Sequence, residues 1–137
     1  MTLASATERI LLALAAALAL LLAGCGPTPP QAPRGQAMKL SVATGGISTA
    51  CGLAYQLTAF PADGDRKSDL ATLEATASAS AAKLASVYRR NPAWIYQGDT
   101  VGEIVVDGIG MLHDCGLPRA AGVLSAATSR RAADTAR

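Results

Sequence analysis

Histidine, tryptophan and phenylalanine occur once each in these 137 residues, and aromatic side chains make up only 4% of the chain. A core here must therefore be built from Ala, Leu and Val rather than from rings. With His113 as the single imidazole and no C-x-x-C pair, a zinc-type ligand set is not expected. No Gly-x-Ser-x-Gly elbow supplies a nucleophile for a Ser-His-Asp arrangement. No phosphate-cradling Gly-rich loop is present, and Gly45-Gly46 alone marks a turn. Asp63-Gly64-Asp65 is too short for a calcium loop and lacks the later Glu. The basic residues are not interleaved with aromatics, which argues against nucleic-acid binding. What remains for chemistry is His113 with Glu103, Asp107 and Asp114. These read as the solvated side of a helix, with His113 complementing its negative end. No cofactor or metal is expected.

Long hydrophobic runs are scarce too. One stands out, the almost pure Leu and Ala stretch 10–23. It has the length of a signal-peptide core and falls short of the ~20 residues of a membrane span. It ends in Leu22-Ala23-Gly24-Cys25, which resembles the lipobox of bacterial lipoproteins. The resemblance covers residues 1–25 only. It implies that 1–24 are a signal peptide that is removed, and that Cys25 carries palmitate-type acyl chains. The protein is then lipid-anchored to a bacterial membrane, cell membrane or outer membrane, and faces outside the cytoplasm. Two or more acyl chains suffice for stable attachment. The segment departs from the family in its cation content, since Arg9 is offset by Glu8. Gly26 follows the Cys where an Asp often marks inner-membrane retention in the family, so the resemblance favours an outer membrane where a cell has one.

The lipobox reassigns the cysteines. With Cys25 given to lipid, Cys51 and Cys115 remain, and a compartment outside the cytoplasm permits them to form a disulfide. A Cys115–His113 catalytic pair would need a free thiol, which such a bridge removes. Residues 26–36 read GPTPPQAPRGQ, with four prolines, and form the end of a Pro-rich tether spanning 25–37. A single small domain follows over 38–118, modest in core and in need of its staple. The tail 119–137 carries Arg119, Arg130, Arg131 and Arg137 against Asp134. It reads as flexible or weakly helical, with a basic face able to brush anionic lipid.

The expected fold class is mostly α, a small three-helix domain stapled by one disulfide. The alternative is α+β with a short strand near 39–44. The clearest helix is 101–115. Val101, Ile104, Val105, Gly108, Ile109, Leu112 and Cys115 share one face. Thr100 and Glu103 form a capping-box pattern, and Gly116 then Pro118 stop the helix. A second helix spans 69–90, with a stripe of Leu70, Leu73, Ala77, Ala81, Leu84, Val87 and Tyr88, and Asn91-Pro92 ends it. The first is expected over 48–60, with Cys51, Ala54, Leu57 and Thr58 on one side. Residues 61–65 make an Asp-Gly turn. If the first and third helices pack antiparallel, Cys51 lies beside Cys115 at one pole.

Trp94 and Tyr96, in the loop 91–99, are the candidate binding residues. They serve either as an aromatic lid on a core short of large side chains or as anchors for a partner or ligand. The functional expectation is a membrane-anchored cell-envelope lipoprotein that acts as a non-enzymatic protein-interaction module for an envelope protein partner. The alternative is a carrier of a small or lipidic ligand, held in an apolar cavity between helices with Trp94 at its mouth.

Overall fold

The computed structural model describes residues 29–60 and 66–137. The segment that resembles a lipobox, with Cys25, and the expected turn at 61–65 lie outside the described residues. Four helices account for most of the described chain: α1 (Arg34–Ala59), α2 (Arg66–Arg90), α3 (Val101–Asp114) and α4 (Pro118–Thr135). A two-residue hairpin, β1 (Ile95–Tyr96) and β2 (Asp99–Thr100), precedes α3. The mostly helical, disulfide-stapled architecture is thus observed, with a fourth helix added.

α3 forms as its local signals require. The Thr100 hydroxyl accepts the Glu103 N–H at 3.1 Å, and the Glu103 carboxylate accepts the Thr100 N–H at 2.7 Å. Both halves of the capping box are made. At the other end Gly116 adopts φ +81°. The Leu117 N–H reaches the Leu112 carbonyl at 2.8 Å, and the Gly116 N–H that of His113 at 3.1 Å. That pair of bonds is the Schellman motif, and the left-handed backbone at its centre favours Gly. Leu117, the residue after the glycine, is fully buried and pins the turn to the core.

The box also carries a pH signature. Hydrogen bonds from the Thr100 N–H and hydroxyl hold the Glu103 carboxyl below its ordinary value. A depressed folded-state pKa contributes stability above the unfolded value, near 4.5, that is lost as pH falls through the folded value. Thr100→Ala should cost about 1 kcal/mol at neutral pH. The gap between variant and wild type should narrow in thermal melts as pH drops below 4.5. A gap constant down to acid pH would mean that the bond from the Thr100 hydroxyl to the Glu103 carboxylate contributes nothing.

α1 begins well before the expected 48–60, and its second and third turns occupy the place of the alternative strand at 39–44. Leu40, Ala43, Ile47, Ala50, Cys51 and Ala54 form one continuous buried stripe, which β-branched residues and Gly45-Gly46 obscure in the sequence. The glycine pair does not break the helix, because Gly46 is where α1 crosses α2. A Cβ there would clash with the Ser80 hydroxyl and lie 3.1 Å from the Ser80 Cβ, so glycine lets the helices approach closely. The tether is correspondingly shorter than 25–37. Pro33 is the N-cap of α1, and Gln31 bridges to Ile95.

The tail 119–137 is corrected as well. Residues 118–135 are helical, and Ala120, Ala121, Leu124 and Ala127 are fully buried. The domain therefore extends from Arg34 to Thr135 rather than 38–118. α4 packs chiefly on α2 and α3. Its start is tied down by a side chain from α2: the Glu74 carboxylate accepts the N–H groups of Arg119 and Ala120 at 3.3 and 3.2 Å. An anion at the positive end of a helix is stabilising. Small residues meet small residues along this contact, since Ala77, Ala81 and Ala85 are the buried alanines of α2.

The four helices enclose one core. Nine of its twenty buried hydrophobic residues are Ala, and Leu40, Leu84, Leu112, Leu117 and Leu124 are the largest fully buried side chains. Gly108 of α3 sits between two of them. A Cβ added there would lie 3.1 Å from Leu124 Cδ1 and 3.7 Å from Leu84 Cδ2. No charged side chain is buried among the described residues.

Candidate functional site

Cys51 and Cys115 are bonded to each other, with Cα atoms 5.3 Å apart. Both are nearly inaccessible to water. The geometry differs from the expected antiparallel pair. Gln31, just before α1, pairs with Ile95, just before α3, so both helices start at the same pole. Further along, Thr44 and Ile47 face Ile104, Gly108 and Met111 across one groove. α1 and α3 run in the same direction, and Cys51 lies well inside α1 rather than near its start. The bridge joins the middle of one helix to the end of another.

The aromatic loop is ordered by backbone bonds. The Gln97-Gly98 turn has positive φ at both positions, 51° and 90°. Such a turn matches the twist of a tight hairpin. The Trp94 carbonyl accepts the Val101 N–H at 2.9 Å, tying the hairpin to the first turn of α3. On its outer edge Ile95 donates to the Pro30 carbonyl at 3.0 Å and accepts from the Ala32 N–H at 2.9 Å. The chain segment leading into α1 is thereby fastened beside Trp94. Trp94, Tyr96 and Tyr88 are half-buried and packed against the core. Four surface grooves run between helices, and none of these four is lined by Trp94 or Tyr96.

No family model, no curated protein and no solved structure matches this chain.

The remaining candidates are dispersed. His113 is exposed in the last turn of α3, and its neighbour Cys115 is held in the disulfide. Glu103 is committed to the capping box, while Asp107 and Asp114 are exposed. Among the described residues no three His, Cys, Asp or Glu side chains are grouped to hold a metal ion. No helix among them is long and apolar enough to cross a membrane.

Two surfaces escaped the sequence reading. The first is the outward face of α1. Met38, Val42, Leu53 and Phe60 are exposed, Met38 at 67% and Phe60 at 77%. At 100° per residue they fall within one narrow arc, opposite the buried stripe. No charged residue occurs from 40 to 60. Gly45 and Gly52, with open space around them, lie on the same side. The signal was present as a long uncharged interval, but it becomes a surface only once 34–47 is helical. The second surface is basic. Arg89, Arg130 and Arg131 line a groove of about 420 Å³ between the ends of α2 and α4. The Arg131 guanidinium lies over the Tyr88 ring, 5.8 Å from its centroid. These arginines are distant in sequence and meet only because α4 docks parallel to α2.

Proposed function

We propose that this protein is a membrane-anchored cell-envelope lipoprotein, held by lipid on Cys25, whose bundle is a non-enzymatic module that binds another envelope protein. The observation that supports the interaction role is the outward face of α1. A helix lying on the surface of a bundle ordinarily presents charge to water. Here that face is apolar at Met38, Val42, Leu53 and Phe60 and uncharged from 40 to 60. Its glycines leave room for a partner's side chains to approach the backbone. Trp94 and Tyr96, packed down on the core, serve in this reading as structure rather than as the contact.

The test is photocrosslinking in the native envelope, with a photoreactive residue at the exposed position 49. A discrete adduct is expected, and it should be lost when Val42→Asp and Leu53→Asp are introduced together. Both side chains are exposed, so the fold should survive. Wild-type protein that yields only background adducts would refute the interaction role. Mass spectrometry of the mature N-terminus checks the anchor: diacylated or triacylated Cys25 is expected, and an unmodified Cys25 refutes it.

A further inference from the structure

The pole at which the chain enters the bundle is also its most basic one. Gln31 bridges to Ile95, so the N-terminal segment arrives beside the hairpin. Arg34 opens α1 at that pole. Arg89 and Arg90 close α2 there, immediately before the hairpin. α4 runs parallel to α2, with Arg119 beside Glu74 at one end and Arg131 over Tyr88 at the other. Its last turns therefore bring Arg130 and Arg131 to the same place, with Arg137 beyond. Just behind this rim, Lys39 and Lys83 line a second groove between α1 and α2. The carboxylates at this end are Asp99, Glu103 and Asp134, and Glu103 is occupied by its cap. None of these arginines makes an ion pair with a described residue. Arg130 bonds only a backbone carbonyl, at 3.3 Å, and Arg131 only a ring. The opposite pole carries Asp69, Glu74 and Asp114 among its charges, with Arg66, Lys67 and Arg119.

We infer that this arginine-rimmed pole is a docking surface for an anionic phospholipid bilayer, on which the bundle stands upright beside its own anchor. The inference rests on the lipid-anchor reading for which pole meets the membrane. Cys25 precedes Gln31 by six residues. Six residues of any conformation reach at most about 20 Å. An acyl-anchored Cys25 thus holds the basic pole near the bilayer and leaves no length for the opposite pole to swing under. At that separation the arginines enter the surface potential, which extends about a Debye length, ~10 Å. The groove between Arg89, Arg130 and Arg131 offers guanidinium groups to a phosphate, the geometry suited to bidentate recognition. With the helices normal to the membrane, the uncharged face of α1 points sideways, along the plane where a second envelope protein would lie.

The test uses the full-length protein purified in detergent and reconstituted into vesicles of two compositions. One is phosphatidylcholine alone; the other contains about one-third phosphatidylglycerol. Trp94 is the only tryptophan and sits at this pole, so its quenching by headgroup-nitroxide lipid reads the approach. Quenching should be stronger in the anionic vesicles and should be released by high salt. Neutralising Arg34→Gln, Arg90→Gln and Arg130→Gln together should lower the docked-to-undocked ratio on the order of 100-fold, at roughly a factor of 5 per arginine. Unchanged melting temperature of the triple variant establishes that it is folded. Quenching equal in the two vesicles, or unaffected by the triple variant, overturns the docking surface. The mass of Cys25 is read on the same sample. A lipidated Cys25 with charge-independent quenching refutes the docking alone. An unmodified Cys25 with charge-dependent quenching refutes the lipid anchor and leaves the docking standing.

Discussion

Replacing both bridge cysteines, Cys51→Ala with Cys115→Ala, should destabilise the bundle by about 4 kcal/mol, on the chain-entropy view of a crosslink. The bridge closes a loop of 64 residues, which holds α2, the hairpin and α3. A small domain has roughly 5–15 kcal/mol of total stability, so this single bond accounts for a large fraction of it. The dependence should be heavier here than in a Leu-rich bundle. Nine of the twenty core residues are Ala, and each buries little apolar area. α1 and α3 also share a short contact compared with α1 and α2, so the bridge is the main tie between them. The melting temperature should fall on the order of 20 °C. A double variant melting within a few degrees of wild type would show that helix packing holds the bundle without its staple. The double variant is required, because a single replacement leaves a thiol free to exchange.

Leu84→Ala should cost about 3 kcal/mol, within the 2–5 kcal/mol range for buried leucines. Leu84 is fully buried in the C-terminal third of α2. It packs toward Gly108 of α3 and lines the groove shared by Ile47 of α1 and Ile104 of α3. One side chain therefore fills the space among three helices. No neighbour can replace it, since Ala81 and Ala85 flank it on the same helix and Gly108 faces it. The cavity left behind would open toward an existing groove of about 130 Å³. Urea denaturation gives the measure, with a lower midpoint and an unchanged slope expected. Leu73→Ala, at a half-buried position on the same helix, is the control and should cost less. A loss below about 1 kcal/mol at Leu84 would mean that α1 and α3 close onto the vacated space.

These two sites differ in how far they could be read beforehand. The cysteine pair followed from counting: three cysteines, one assigned to lipid by the lipobox resemblance, two left over. Leu84 was placed on the buried stripe of its helix by spacing alone, together with Ala77, Ala81 and Val87. What spacing could not supply was the partner. The groove beside Leu84 forms where Gly46 lets α1 approach α2 and Gly108 lets α3 approach α2 and α4. In the sequence the two glycines carry opposite suggestions, a break at Gly45-Gly46 and a face position at 108. Burial of Leu40, Ala43 and Ile47 decides the first case, because a helix that buries a stripe outweighs the propensity cost of two glycines.

The tail shows the same limit. Pro118 starts a helix as well as it stops one, and residues 118–135 lack large apolar side chains apart from Val123 and Leu124. By composition the segment looks marginal alone. It is fixed by contacts that span the chain: Glu74 at its start, the alanines of α2 along its length and Tyr88 beneath Arg131 near its end.

The sequence by itself determined α3 and its two caps, the extent of α2, the pairing of Cys51 with Cys115, and a mostly helical fold around a small-residue core. Each of these rests on residues a few positions apart, or on arithmetic that needs no geometry. Only the tertiary structure decided that α1 and α3 run the same way, that the chain enters beside the hairpin, that α4 lies parallel to α2, and that arginines from three helices meet at one pole. Those outcomes depend on which stripe packs against which, and the free energy that selects among packings comes from burial shared between distant segments.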